Sequence, residues 1–293
     1  MLAPRLRRFA ELSFGRQHAI PLFNETTMHL AHTTEHNNMN DAWICATCGC
    51  QYTQNRPLEC KICEDQRQYV GSKGQQWTTL SELRSNPKGY GNTLSQFEPN
   101  LWSIHTDPKL AIGQHAFIIQ STTGNIMWDC ITYLDEATKA AVDEKGGLKA
   151  IAVSHPHYYS TMVEWAHAFD VPIYIHKDDS DWVTRPDGKI IFWSGESQDL
   201  FDGVSLLRLG GHFSGASVLH WPAGSDGRGS LLVGDIVSVT ADNQWLTFMY
   251  SYPNYIPLPA TAVRRIGNAL APYEFDKIHG NARAYYVKLC CVI

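Results

Sequence analysis

The residues best suited to chemistry are histidines and carboxylates that come directly after apolar runs. "LKAIAVS" leads into His155, and His157 follows it two positions on. His212 follows "LLRLGG", Asp235 follows "SLLVG", His279 follows "FDKI" and Asp129 follows "NIMW". Imidazoles and carboxylates repeated at strand exits can converge on one cation at a sheet edge, and imidazole is a borderline ligand suited to zinc. Tyr159 and Ser160 stand two and three places beyond His157, and neither is a usual zinc ligand. The plain alternatives are satisfied polar groups at strand ends for the histidines and a turn cap for Asp235. His176 and His220 read as structural, and His167 as packed within a helix.

A second constellation is made of thiols. Five of the eight cysteines crowd into "CATCGCQYTQNRPLECKICED" as Cys45, Cys48, Cys50, Cys60 and Cys63. Two C-x2-C knuckles, Cys45/Cys48 and Cys60/Cys63, approach a zinc-ribbon pattern, because a two-residue gap lets both thiolates face one ion. Gly49 follows the second cysteine, where the knuckle turn favours a positive φ. Four thiolates close a tetrahedral shell, so such a site is structural rather than catalytic. Cys50 is the surplus thiol. The alternatives are a redox-active dithiol, or Cys50 in place of a neighbour as ligand.

The elements that must hold these residues alternate between strand and helix. "HAFIIQST", a "TGN" turn and "IMWDCITYL" read as a hairpin. "DEATKAAVDEKGG" is helical with a glycine stop, "LKAIAVSHP" is a buried strand, and "TMVEWAHAFD" is an amphipathic helix. "VPIYIHKDD", "KIIFWSG", "VSLLRLGGH", "SVLHWPA" and "SLLVGDIVSV" are strands, followed by the helix "ATAVRRIGNALAPY" and a last short strand, "FDKIHG". Gly210, Gly211 and Gly234 precede candidate ligands where the backbone must turn tightly. Residues 66–98 read as a polar linker with a short helix, "TLSELRS", and turns. Polar residues just past strand ends are how α/β proteins place their chemistry.

Composition excludes several classes. Hydrophobic residues make up 44% and charged residues 18%, which is enough material for a packed core. A net charge of −5 argues against nucleic acid as a partner. No apolar run reaches the length of a membrane span, which argues against a membrane partner. A small-molecule substrate is the expected partner, with the oligomeric state unreadable. Residues 1–40 carry Arg5, Arg7, Arg8 and Arg16 against Glu11, then the His-rich stretch with His29, His32 and His36. A disordered tail is the reading preferred over a mitochondrial transit segment. The thiol cluster points to the cytoplasm, with the mitochondrion as the alternative. Cys290 and Cys291 in "KLCCVI" do not make a regular prenylation box.

The motifs "SHPHYYST", "LGGHFSGASVLHW", "LLVGDIV" and "IHG" resemble, in order and spacing, the metal-binding motifs of the metallo-β-lactamase-fold superfamily. The resemblance covers roughly residues 100–285. It implies an α/β protein with an αββα sandwich over 95–288, preceded by a small zinc-ribbon-like segment over 41–75. In that family His155, His157 and His212 match the tris-histidine first site, Asp235 the bridging carboxylate and His279 the last histidine of the second site. Tyr159 and Ser160 stand where the family's H-x-H-x-D-H run places the second-site Asp and His. The implied cofactors are therefore one structural zinc at Cys45, Cys48, Cys60 and Cys63 and one catalytic zinc at the tris-histidine site.

Two functions follow from that resemblance. One is a mononuclear zinc hydrolase that uses zinc-activated hydroxide on a small ester, thioester, lactone or lactam. In it Asp235 orients the water, His279 donates to the leaving group or oxyanion, and Tyr158 or Tyr159 donates to the oxyanion. Trp193, Trp245, Tyr250 and Tyr252 would form its aromatic wall. The other is a catalytically reduced zinc-binding interaction module of the same fold.

Overall fold

The computed structural model describes residues 41–53 and 55–280, and the backbone of 283–286. The tail over 1–40 with its histidines, and Cys290 and Cys291, lie outside the described residues.

The first sheet has seven strands in sequence order: β1 (Gly91–Glu98), β2 (Leu101–Asp107), β3 (His115–Ile119), β4 (Ile126–Trp128), β5 (Ala150–Ala152), β6 (Ile173–His176) and β7 (Ile190–Trp193). β1 to β4 pair antiparallel, and β4 to β7 pair parallel. Strands β4 and β5 are short and apolar because both their faces are covered, whereas the edge strand β7 leaves Ile191 and Phe192 exposed. The second sheet holds β8 (Ser197–Asp199), β9 (Ser205–Arg208), β10 (Ser217–Trp221), β11 (Ser230–Leu232), β12 (Lys277–Gly280) and β13 (Arg283–Tyr286), in that spatial order. Only the β11–β12 pairing is parallel among these, and the helix α3 (Ala260–Leu270) lies in the crossover between them.

Three apolar layers follow from this arrangement. Leu101, Phe117, Ile126 and Trp128 of the first sheet meet Leu206, Leu219, Trp221 and Leu232 of the second in the inter-sheet core. The outer face of the first sheet packs Ile118, Met127 and Ile151 against helix α2 (Met162–Phe169), through Trp165 and Ala166, and against the cysteine segment. The outer face of the second packs Val218, Leu231 and Ile278 against Ile266 of α3. Each such large side chain contributes about 1.5–3 kcal/mol when fully buried. The architecture is an αββα sandwich, with the cysteine segment against its first sheet.

Local signals set the element ends. Helix α1 (Glu136–Asp143) starts where Asp135 accepts the Thr138 amide, and α2 stops where Asp170 turns left-handed at φ 56°. The hairpin at "TGN" forms with Ile119 opposite Ile126 and Phe117 opposite Trp128. Two expectations need correction. The strand in "IMWDCITYL" ends at Trp128, because Asp129 at φ 63° turns the chain. The segment over 66–98 does hold a capped turn of helix, Leu80–Arg84, but its end is the eight-residue strand β1. β1 lies at the sheet edge and pairs only with β2, so "GNTLSQFE" needs few apolar residues and gives little strand signal.

Candidate metal centre

Each converging side chain sits three to five residues past a strand, where the backbone is free to turn. His155 and His157 flank Pro156 at a 3-10 turn, Pro156–Tyr158, after β5. His212 follows β9, and Asp235 follows β11. Gly234 makes the last approach feasible: its φ is 51°, and a Cβ there would lie 2.5 Å from the Ser154 hydroxyl. Only glycine brings the Asp235 turn that close to the His155 loop.

The four side chains converge, with one ligand atom of each within 4.8 Å of the others. His155 Nε2 is 3.3 Å from His157 Nδ1, and His212 Nε2 is 3.2 Å from that same nitrogen. Asp235 Oδ2 lies 3.5 Å from His155 Nε2 and 3.9 Å from His157 Nδ1. A tetrahedron around zinc with arms of about 2.0–2.1 Å has edges of about 3.3–3.4 Å. The imidazole nitrogens therefore sit at the corner spacing of one such ion, while the Asp235 carboxylate stands slightly farther off. His212 Nδ1 donates to the Met249 carbonyl at 2.9 Å, which leaves its Nε2 lone pair facing the cluster. The Ser154 hydroxyl lies 2.8 Å from His155 Nδ1 and fixes the ring with Nε2 turned toward the cluster.

Electrostatics agree with a cation-binding set. Burial pushes His155 down to about 4 and His212 well below the ordinary range, so both are neutral near pH 7. Burial works against ionisation of Asp235, but hydrogen bonds from His155 and His157 hold its carboxyl well below the usual carboxylate range. Neutral imidazoles beside an ionised carboxylate are the protonation states a divalent metal requires. Asp129 is fully enclosed, accepts the Ser154 amide at 2.8 Å and is pushed up to about 8 by burial. It holds the loop that carries His155.

The cluster opens into a cavity of about 200 Å³ lined by Arg67, Gln68, Tyr69, Gln114, Tyr158 and Tyr252 together with His157, His212 and Asp235. A larger cavity, about 370 Å³, lies by α3 among Val233, Val237, Phe248 and Ile266. None of the four converging residues lines it, and its walls are mainly apolar. Nothing in the sequence marks Arg67, Gln68 and Tyr69, which read there as an ordinary polar stretch after Cys63.

Three sequence expectations are corrected. His279 does not join the cluster: its Nε2 bonds Glu98 Oε1 at 3.0 Å, and its ring packs edge-on to Phe97. β12 carries this histidine inside the sandwich, with Lys277 on the same carboxylate. Tyr159 faces away from the cavity and donates to the Asp179 carbonyl at 3.1 Å, while Ser160 donates to the Cys130 carbonyl at 3.2 Å. Of the expected aromatic wall, only Tyr252 lines the cavity. Trp193 is buried against His176, Trp245 is 70% exposed, and Tyr250 stacks beside Arg67. His176 bonds the Gly195 carbonyl, His220 the Glu274 carbonyl, and His167 pairs with Asp187 at the surface.

The second cluster is closed. Cys45, Cys48, Cys60 and Cys63 group their sulfurs within 4.8 Å, all buried. Cys45 lies 3.6 Å from Cys63, and Cys48 3.6 Å from Cys60. A disulfide would need about 2.05 Å. A zinc tetrahedron with arms of about 2.3 Å has edges of about 3.8 Å, close to what is found. Hydrogen bonding from Cys48, Cys60 and Cys63 holds the Cys45 thiol far below its ordinary range, as a thiolate. The Gln75 amide and the Tyr52 hydroxyl donate to the sulfurs of Cys45 and Cys60. Cys50 stands apart against Thr184, and burial pushes its thiol up, so it stays protonated.

No family model matches the chain. Solved structures similar to it are metallo-β-lactamases. DIM-1 exposed to ceftazidime matches at a TM-score of 0.54 and 15% identity, over 68% of this chain and 92% of that one. FIM-1 from Pseudomonas aeruginosa, in its mono-zinc form, matches at 0.51 and 15% over the same shares. A metallo-β-lactamase from Erythrobacter litoralis matches at 0.52 and 14%, over 67% of this chain and 91% of that one. Among proteins compared by sequence, the uncharacterized protein YmaE of Bacillus subtilis (strain 168) is 52% identical over 248 residues, 84% of this chain and 90% of that protein. The chain therefore belongs to the family of Bacillus subtilis YmaE, and its fold is that of the metallo-β-lactamases.

Proposed function

We propose that this protein is a mononuclear zinc hydrolase that cleaves a small acyl substrate by water attack. The observation that carries the reading is the corner spacing of His155 Nε2, His157 Nδ1 and His212 Nε2, with Asp235 Oδ2 beside them and His157, His212 and Asp235 lining a cavity. One ion is the reading because the described residues form only two metal-holding groups, and neither contains His279, Tyr159 or Ser160. The second group, Cys45, Cys48, Cys60 and Cys63, would hold a structural zinc in a zinc-ribbon-like segment.

Zinc bound by the three imidazoles would supply a Lewis acid and a water acidified to roughly pKa 7. The protein's own groups do the rest. Asp235, ionised and 13% exposed, orients the attacking water and takes its proton. Tyr158 lines the cavity, and burial keeps its phenol protonated well above the ordinary range. Its O–H can donate to the charge that develops on the attacked carbonyl oxygen. A cavity of about 200 Å³ is smaller than the roughly 300–1,000 Å³ typical of drug-sized ligands, so the acyl group is compact.

The test measures zinc per chain in protein purified without added metal, beside a His155→Ala/His212→Ala variant, with both assayed on a panel of small esters, thioesters and lactones. Two zincs falling to one, with turnover lost, supports the reading. One zinc in both proteins with no turnover would leave the fold serving as a binding module.

A further inference from the structure

The cysteine cluster and the histidine cluster are joined by two side chains. Gln114, 5% exposed, uses its single amide nitrogen to bond the Cys48 carbonyl at 2.6 Å and the His157 carbonyl at 3.1 Å. One end of that bridge is a backbone group of the first knuckle, and the other is a backbone group of a histidine in the opposite cluster. Arg67 makes the matching bridge from the second knuckle. It lies just beyond Cys63, is held by both oxygens of Asp65, and donates from its other nitrogen to the His212 carbonyl at 3.0 Å. Its guanidinium stacks 3.7 Å from the centre of the Phe213 ring, and Ser251 donates to its own carbonyl.

Further contacts of the first knuckle reinforce the Gln114 bridge. The Gln51 amide donates to the Ser160 carbonyl at 2.9 Å, tying the knuckle segment to the loop of His155 and His157. At Gly49 the knuckle turn lies so close to the loop beside Asp129 that a Cβ would stand 2.0 Å from the Thr132 hydroxyl. The knuckles have little regular structure of their own. Among the described residues their one strand pair joins Ile44–Cys45 to Trp77–Thr78. Cross-linking by a metal is the device that closes such a segment against its chain entropy.

We infer that the cysteine cluster is a positioning device for the histidine centre, with Gln114 and Arg67 as the positioning residues, so that metal loaded on the cysteines raises metal affinity at His155, His157 and His212. The inference rests on the proposal that the histidine cluster binds metal. Partners that orient a ligand without touching the ion typically change metal affinity 10–100-fold. Here those partners hang from a second metal site, so the two loadings are linked, and by thermodynamic linkage the coupling is reciprocal.

The test uses the full chain loaded with cobalt(II). The thiolate-to-cobalt charge-transfer band reads the cysteine site, and the remaining visible absorption reads the histidine site as a chelator is titrated in. Gln114→Ala and Arg67→Ala should keep the charge-transfer band, which shows that the knuckles remain folded. They should release cobalt from the histidine site at least about 10-fold more readily. Arg67→Lys, which keeps a donor for the His212 carbonyl, should recover part of the loss. Cys60→Ser should weaken the histidine site as well, although Cys60 belongs to the other cluster. Native-like affinity at the histidine site in Gln114→Ala, Arg67→Ala and Cys60→Ser overturns the coupling alone. A native chain that binds cobalt only at the cysteines overturns the histidine centre and the coupling together.

Discussion

The two clusters are built from opposite materials. The cysteine cluster has four sulfurs from two short knuckles, all buried and closed over by neighbours. The histidine cluster draws its side chains from three separate strand exits, with a carboxylate beside its imidazoles lining a cavity. Ligands that lie close in sequence can form a closed shell with local backbone alone. Ligands far apart in sequence meet only after the sandwich has formed. A closed shell stabilises structure, whereas a shell with a cavity beside it can admit water and substrate. The first site thus builds a segment of the molecule, and the second uses the framework that results.

Substitutions can break this contrast in order of size. The largest effect is expected for Cys60→Ala. Structural zinc contributes roughly 10–16 kcal/mol in small zinc-folded peptides, so this change should exceed the roughly 5 kcal/mol that marks exceptional substitutions. Denaturant unfolding of the zinc-loaded chain measures it, and a loss of only surface size would mean that the knuckles fold without metal.

Next is Glu98→Ala, which removes the carboxylate on which His279 and Lys277 converge. Breaking a buried ion pair by deleting one partner costs about 3–5 kcal/mol. Its pH dependence carries a sign. Burial opposes ionisation of Glu98, but hydrogen bonds from His279 and Lys277 hold its carboxyl at about 2, against 4.5 ordinarily. The folded state then binds this proton more weakly than the unfolded state does. The contribution is therefore complete above pH 4.5 and is lost as pH falls toward 2. Unfolding curves for native and variant protein should converge over that window, and a gap that persists unchanged at its acid end would argue against the paired carboxylate.

His212→Ala sharpens the other side. It should leave the cysteine metal and the fold in place while lowering hydrolysis at least about 100-fold, about 2.7 kcal/mol of transition-state stabilisation. Turnover retained at the native rate would place the chemistry elsewhere. The smallest change is Tyr159→Phe. It deletes one buried hydrogen bond, to the Asp179 carbonyl, and should cost about 0.5–1.5 kcal/mol of stability with no change in turnover or metal content. A fall in turnover after that change would restore Tyr159 to the catalytic set.

Much of the architecture is legible along the chain because its signals are local. Apolar runs such as "LKAIAVS" and "SLLV" mark strands buried on both faces, and Asp135 and Asp170 bound their helices as expected of cap residues. β1 was illegible because an edge strand paired on one side does not need an apolar pattern. The rim residues Arg67 and Gln68 were illegible for another reason: nothing in their own composition points at the cavity they line.

His279 shows the limit most clearly. Its position after an apolar run is the same kind of signal that His212 carries, yet one ring faces the cluster and the other faces Glu98. Residue order settles which groups stand at strand exits, because hydrophobic runs and turn residues act within a few positions of themselves. It also pairs the cysteines into knuckles, because a two-residue gap sets their reach. Which strand exits share an edge, which imidazole nitrogen looks inward, and which buried carboxylate captures a histidine depend on how two sheets stack. Those are contacts between segments distant along the chain, and no local pattern encodes them.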